Sequence, residues 1–294
     1  MKKSLLTLVV FVLITMLTVL SGCTESSVNS TQKINVITSF YPLYEIVKKI
    51  GGEKVTIRNI VPAGAEPHEY EPTPKDIVAL NEADLVVVNG LGLEPWAKKA
   101  LTELPGEVKI LNLSEALNAS SDPHIWLDPV NFSKEVQFVA QKLSEIEPAE
   151  APVFQENAQK FTKELQELDQ AFKGGLNACG TNDFVTNHAA FGYLAKRYNL
   201  NMIAISGLSP EAEPSPKEMA ELSETIRQKK IKFILTESLV SPKIADTLAN
   251  ETGAQTLILN PLEGLTDVEI AQGKNYVTVM RDNLKNLQTA MECK

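Results

Sequence analysis

From residue 33 onward, short β-rich runs alternate with stretches whose apolar residues recur at helical spacing, and this alternation constrains the fold more than any other feature. "INVITSF", "KVTIRNIV", "DLVVVNG" and "EVKILNL" read as strands of a first half. Between them, "YPLYEIVKKIGG" has helical periodicity and stops at paired glycines. "TPKDIVALNEA" opens on Thr73 as N-cap with Pro74 at the first helical position. "DPVNFSKEVQFVAQKLSEI" repeats that signal with Asp128 and Pro129. Strands joined through helices are parallel, because a crossover must return the chain to the same edge of the sheet.

One segment breaks the rhythm. "EAPVFQENAQKFTKELQELDQAFKGGL" keeps helical periodicity across about 25 residues with no strand beside it, which is long for a globular helix. The alternation then restarts with strands "DFVTN", "MIAIS", "KFILTE" and "TLILN". A capping box, Ser215 with Glu218, opens a helix to Lys230, and a last helix runs from about 275 to 291. The expected fold is α/β, two lobes that are each a parallel sheet flanked by helices, joined by one long rigid helix with a site in the cleft between them. The expected boundaries are 33–148 for the first lobe, 149–178 for the linking helix and 179–294 for the second lobe. The halves do not visibly align as a sequence repeat.

The N terminus speaks to location. Lys2 and Lys3 precede an apolar run from Leu5 to Leu20, too short for a membrane span, and "LSGC" follows. Residues 1–22 read as a secretory signal peptide and Cys23 as a lipidated first residue of the bacterial lipobox type. Residues 23–32, polar and without periodicity, read as a tether. The formal charge of −9 becomes more acidic once the two leader lysines are gone, which excludes nucleic acid as a natural partner. Cys179 and Cys293 remain, an even pair in an exported chain outside any C-x-x-C pattern, which permits a disulfide between them.

The chain has three histidines, and all fall just beyond strand ends: His68 in "EPHEYEPTP", His124 in "DPHIWLDP" and His188 in "TNHAAFGYL". Ligands of open parallel sheets bind beyond the carboxyl ends of strands, so the three point to one metal site between the halves. Tetrahedral zinc needs a fourth ligand. Glu263 in "NPLEGLT" and Glu237 in "ILTES" both lie at strand ends, and periodicity does not choose between them. Glu66, Glu69, Asp122 and Asp128 flank the histidines and, with Glu237, are candidates to accept from the far ring nitrogens. Pro67, Pro72 and Pro74 stiffen the loop around His68, which lowers the entropy lost on capture.

The lipobox, "VPAGAEPHEYEPTPKDI", "DPHIWLDP", "TNHAAFGYLAKRYNL", the long central helix and "NPLEGLT" occur in one order across nearly the whole mature chain. In this the chain resembles the zinc/manganese-type (cluster A-I) metal-binding lipoproteins of bacterial ABC transporters, zinc-type members in particular. The resemblance implies a monomeric, membrane-anchored receptor that delivers Zn2+ to a membrane permease, with His68, His124, His188 and Glu263 as ligands. The third ligand is His in zinc-type and Glu in manganese-type members. The His- and Asp-rich loop of many zinc members is replaced here by "NLSEALNASS". Alternatives are a Mn2+ receptor of the same family, a zinc hydrolase, and a surface adhesin. No H-E-x-x-H or G-x-S-x-G motif supports the hydrolase. With a stiff linking helix, loop-scale rearrangement is expected rather than wide closure of the lobes.

Overall fold

The computed structural model describes residues 33–294; the expected signal peptide over 1–22, the expected lipidation at Cys23 and the expected tether over 23–32 lie outside the described residues. The chain runs β1 (Ile34–Thr38), α1 (Tyr41–Gly51), β2 (Val55–Asn59), α2 (Pro74–Asn81), β3 (Leu85–Val88), α3 (Ala97–Thr102), β4 (Lys109–Asn112), α4 (Leu113–Ala116) and α5 (Pro129–Ile146). The long α6 (Ala151–Gly175) follows, preceded by a 3-10 turn at Pro148–Glu150. The second half runs β5 (Asp183–Thr186), α7 (Gly192–Tyr198), β6 (Asn201–Ala204), α8 (Pro216–Lys229), β7 (Phe233–Thr236), α9 (Lys243–Thr252), β8 (Gln255–Ile258), α10 (Asp267–Ala271) and α11 (Tyr276–Ala290).

Each half forms a four-stranded parallel sheet, ordered β2-β1-β3-β4 in the first and β6-β5-β7-β8 in the second. The two orders are the same, so the halves repeat in topology although their sequences do not visibly align. Side chains alternate faces along a strand, and both faces are buried. Leu85 and Val87 of β3 join the large core, while Val86 and Val88 pack on the outer side with Leu80 and Trp96.

The expected helix signals hold. Thr73 caps α2 in a reciprocal box with Asp76, Asp128 caps α5 through the Val130 N–H, and Ser215 with Glu218 opens α8. Short α3, α4 and α10 carry no long periodic pattern and were not foreseen. The "NLSEALNASS" region in part forms α4, a single turn capped by Asn112 that buries Leu113 and Ser114.

The α6 helix is about 37 Å long at 1.5 Å per residue. It buries Phe154, Ala158, Phe161, Leu165, Leu168 and Phe172, spaced by alternating fours and threes. That stripe packs on α1 and α5 of the first lobe and on α11 of the second, and the large core runs through both lobes. The helix is therefore a brace shared by both lobes, and residues 33–294 form one compact unit. Further ties cross the seam. Trp126 Nε1 donates to Pro261 O at 2.8 Å, and Tyr276 OH donates to Trp126 O at 2.6 Å. Tyr276 also stacks on Phe132 with ring centroids 3.9 Å apart. The Gly64 N–H donates to Leu265 O at 3.0 Å.

Candidate metal centre

His68 and His188 lie on loops that follow strands, and His124 lies on the loop after the single helical turn that succeeds β4. His68 lies on the loop between β2 and α2, where its backbone N–H donates to Glu66 Oε1 at 3.1 Å. His124 follows α4 and leads into a 3-10 turn at Ile125–Leu127. One oxygen, Asp122 Oδ1, accepts from its backbone N–H at 3.0 Å and from its Nδ1 at 2.8 Å. His188 comes two residues after β5. There the single oxygen Glu237 Oε1 accepts from the backbone N–H at 3.1 Å and from Nδ1 at 2.6 Å. The same device thus appears in both lobes. A carboxylate oxygen holding N–H and Nδ1–H together fixes the ring plane and the tautomer, and leaves the Nε2 lone pair facing inward.

The three rings converge on Glu263. Glu263 Oε1 lies 3.2 Å from His68 Nε2, 3.3 Å from His124 Nε2 and 3.3 Å from His188 Nε2. His124 Nε2 lies 3.4 Å from His68 Nε2 and 3.3 Å from His188 Nε2. One carboxylate oxygen cannot be the hydrogen-bond partner of three ring nitrogens that also face one another. A cation at their centre can bind all four atoms. Zinc bonds of about 2.0–2.1 Å to nitrogen and oxygen correspond to tetrahedral edges of about 3.3–3.4 Å; these five separations match them, and all four ligand atoms lie within 4.8 Å of one another. Glu237, the competing carboxylate, holds His188 from behind.

The Glu263 loop is itself held under constraint. Asn283 Oδ1 accepts from the Asn260 N–H at 2.8 Å, and Asn260 Oδ1 accepts from the Leu262 N–H at 2.7 Å. Leu262, fully buried beside the ligand, sits at φ 60°, a left-handed conformation costly for a bulky side chain. No pattern in the sequence marks Leu262, Asn260 or Asn283 for this role.

Burial sets the electrostatics. His124 and His188 are wholly buried and Glu263 is 1% exposed, leaving His68 as the least buried of the four. Burial raises the Glu263 carboxyl, but the three imidazoles override it and hold it well below the usual range. Burial and the neighbouring Glu263 charge push Glu66 up to about 9. Burial would lower His188, yet its bonds to Glu237 and Glu263 push it up to about 10, and His124 rises likewise through Asp122 and Glu263. Glu66 Oε2, Glu237 Oε2 and Glu263 Oε2 are buried without a protein partner. Glu66, His124 and His188 therefore keep their protons to higher pH than the free groups do, and the imidazole protons offset the charge of Glu263.

Two of the flanking carboxylates do other work than expected. Asp128 does not meet an imidazole; it caps α5 through the Val130 N–H at 2.9 Å and pairs with Arg197 of the other lobe at 2.7 Å. An acid at a helix N-terminus facing a guanidinium has its lone pairs taken. Glu66 bonds the backbone of His68 rather than its ring.

Two α/β lobes with a buried cluster of three imidazoles and a carboxylate in their seam make this a two-lobed binding protein with its candidate site between the lobes. More specifically, the chain belongs to the ZnuA family, described as zinc-uptake complex component A periplasmic, whose model matches residues 36–290. It is 39% identical over 277 residues to the zinc-binding lipoprotein AdcA of Streptococcus pneumoniae, covering 87% of this chain and 55% of that protein. It thus spans about half the length of that relative. With the high-affinity zinc uptake system protein ZnuA of Bacillus subtilis it shares 34% identity over 307 residues, 96% of each chain. The Zn(II)-bound ZnuA-like domain of S. pneumoniae AdcA superposes with a TM-score of 0.79 at 40% identity, over 88% of this chain and 99% of that one.

Proposed function

We propose that this chain is an extracytoplasmic receptor that captures one Zn2+ ion through His68, His124, His188 and Glu263 and hands it to an ABC-transporter permease. The observation that carries the reading is that five separations among the four ligand atoms are 3.2–3.4 Å, the length of a zinc tetrahedron's edges, and that all four atoms lie within 4.8 Å of one another. The names of the relatives, zinc-binding lipoprotein and zinc uptake protein, support the same cargo. Three nitrogens favour zinc over manganese, which prefers oxygen ligands and stands at the weak end of the divalent order. Glu263 takes the corner where a catalytic zinc keeps its water, so the reading is of a carrier and not of a hydrolase.

Cys23 is proposed as the acylated residue that holds this monomeric receptor at the outer face of the cell membrane. Among the described residues no helix is long and apolar enough to cross a membrane.

Competition titration of the metal-free protein against a chromogenic chelator tests the cargo. One zinc per chain should bind, far more tightly than manganese, and His188→Glu should narrow that gap. Manganese binding as tight as zinc would overturn the metal assignment. Unchanged affinity in His68→Ala, His124→Ala and His188→Ala would overturn the site.

A further inference from the structure

The glycine at position 192, first residue of α7, has ordinary right-handed helical angles, φ −59° and ψ −46°. Any L-residue adopts them, so backbone conformation gives no reason for glycine there, and glycine in a helix is about 1 kcal/mol less favourable than alanine. The reason is steric. A Cβ built on Gly192 would stand 2.6 Å from Asp122 Oδ2 and 3.8 Å from Asp122 Cγ, with no other heavy atom among its near neighbours. Asp122 cannot simply swing aside, because its other oxygen accepts from both the backbone N–H and the Nδ1 of His124. The contact also spans the two lobes: Asp122 belongs to the first, and Gly192 follows His188 in the second.

We propose that Gly192 is a positioning residue of the metal site. Its bare backbone gives Asp122 the space to orient His124, so the orientation of a first-lobe ligand tolerates no side chain at this point of the second lobe. The inference rests on the zinc-receptor reading above. It separates the two histidines that share the carboxylate device. Glu237 holds His188 from within one lobe, whereas the carboxylate that holds His124 abuts the other lobe at Gly192.

A double-mutant cycle on zinc affinity tests this, using the mature protein, Gly192→Ala, Asp122→Ala and the double variant. A Cβ that displaces Asp122 should weaken zinc binding by about tenfold, the lower end for loss of a group that orients a ligand. In the Asp122→Ala background the same Cβ meets nothing, so Gly192→Ala should there leave zinc affinity unchanged. Melting of the metal-free variants provides the second reading, since alanine at a helical position should not lower their stability in the Asp122→Ala background. Equal zinc loss from Gly192→Ala in both backgrounds, or none in either, would overturn the proposal. Failure of the unmodified protein to bind zinc would overturn the receptor reading, and this inference with it.

Discussion

At the scale of single residues the site is a problem in charge. The metal-free pocket keeps protons on imidazoles whose pKa values are raised, His188 to about 10. Zinc must displace those protons, so its affinity should fall as pH falls, about tenfold per pH unit for each proton displaced. Chelator competition at pH 6.0 and 7.5 measures the slope. A flat response would mean that the imidazoles hold no proton in the metal-free protein. Stability of the metal-free protein should run the other way. A raised imidazole contributes stability fully present below the unfolded value of about 6.5, and lost as pH rises through about 10. Glu66, raised to about 9, acts in the same direction, because the fold holds its proton where the unfolded chain has released it. Metal-free protein should therefore melt at a lower temperature at pH 9 than at pH 6.5, and zinc should reverse the order. The three histidines were legible in the sequence because the residue is scarce and each stands beyond a strand end. Their partners were only partly so. Glu237 meets the His188 ring, whereas Asp128 is committed to Arg197 and the start of α5.

At the scale of elements, α6 decides whether the molecule behaves as two lobes or one. Phe161, at the middle of its buried stripe, meets Phe132 edge-on and carries Lys49 over its ring. Phe161→Ala should cost about 3–5 kcal/mol in urea unfolding of the metal-free protein. The transition should remain single, because the large core passes through both lobes. Two separated transitions would show that the helix merely tethers independent lobes. The helix itself was legible from its periodicity and length. That it braces rather than hinges was not, since periodicity gives the buried face and not what covers it.

For the whole molecule, two ties close the chain on itself. Cys179 and Cys293, 114 residues apart, have their sulfurs 2.01 Å apart. Backbone bonds draw the same two segments together, the Gly180 N–H to Met291 O and the Lys294 N–H to Ala178 O. A bridge closing so long a loop contributes about 4–5 kcal/mol by unfolded-chain entropy. Thiol titration of the unreduced protein lacking Cys23 should find no free thiol, and reduction should lower its melting temperature. The second tie is the seam, where Trp126, Tyr276 and Arg197 bond across the lobes. With those bonds and α6 in place, capture should move loops only. Small-angle scattering should give the same radius of gyration with and without zinc, and a clear contraction on loading would show lobe closure instead.

The elements and the chemistry on offer are written locally along the chain. Period-two and helical patterns are local, capping boxes span three residues, and three scarce histidines declare a nitrogen-rich site. Only the tertiary structure decided what is set by distance between remote segments. It brings Glu263 rather than Glu237 to the centre of the three rings, although both follow strands. It gives both sheets one strand order, and it places the carboxylate of Asp122 where a side chain at position 192 would stand. A strand end specifies where a ligand emerges, but the lobes must pack before any two ligands are neighbours.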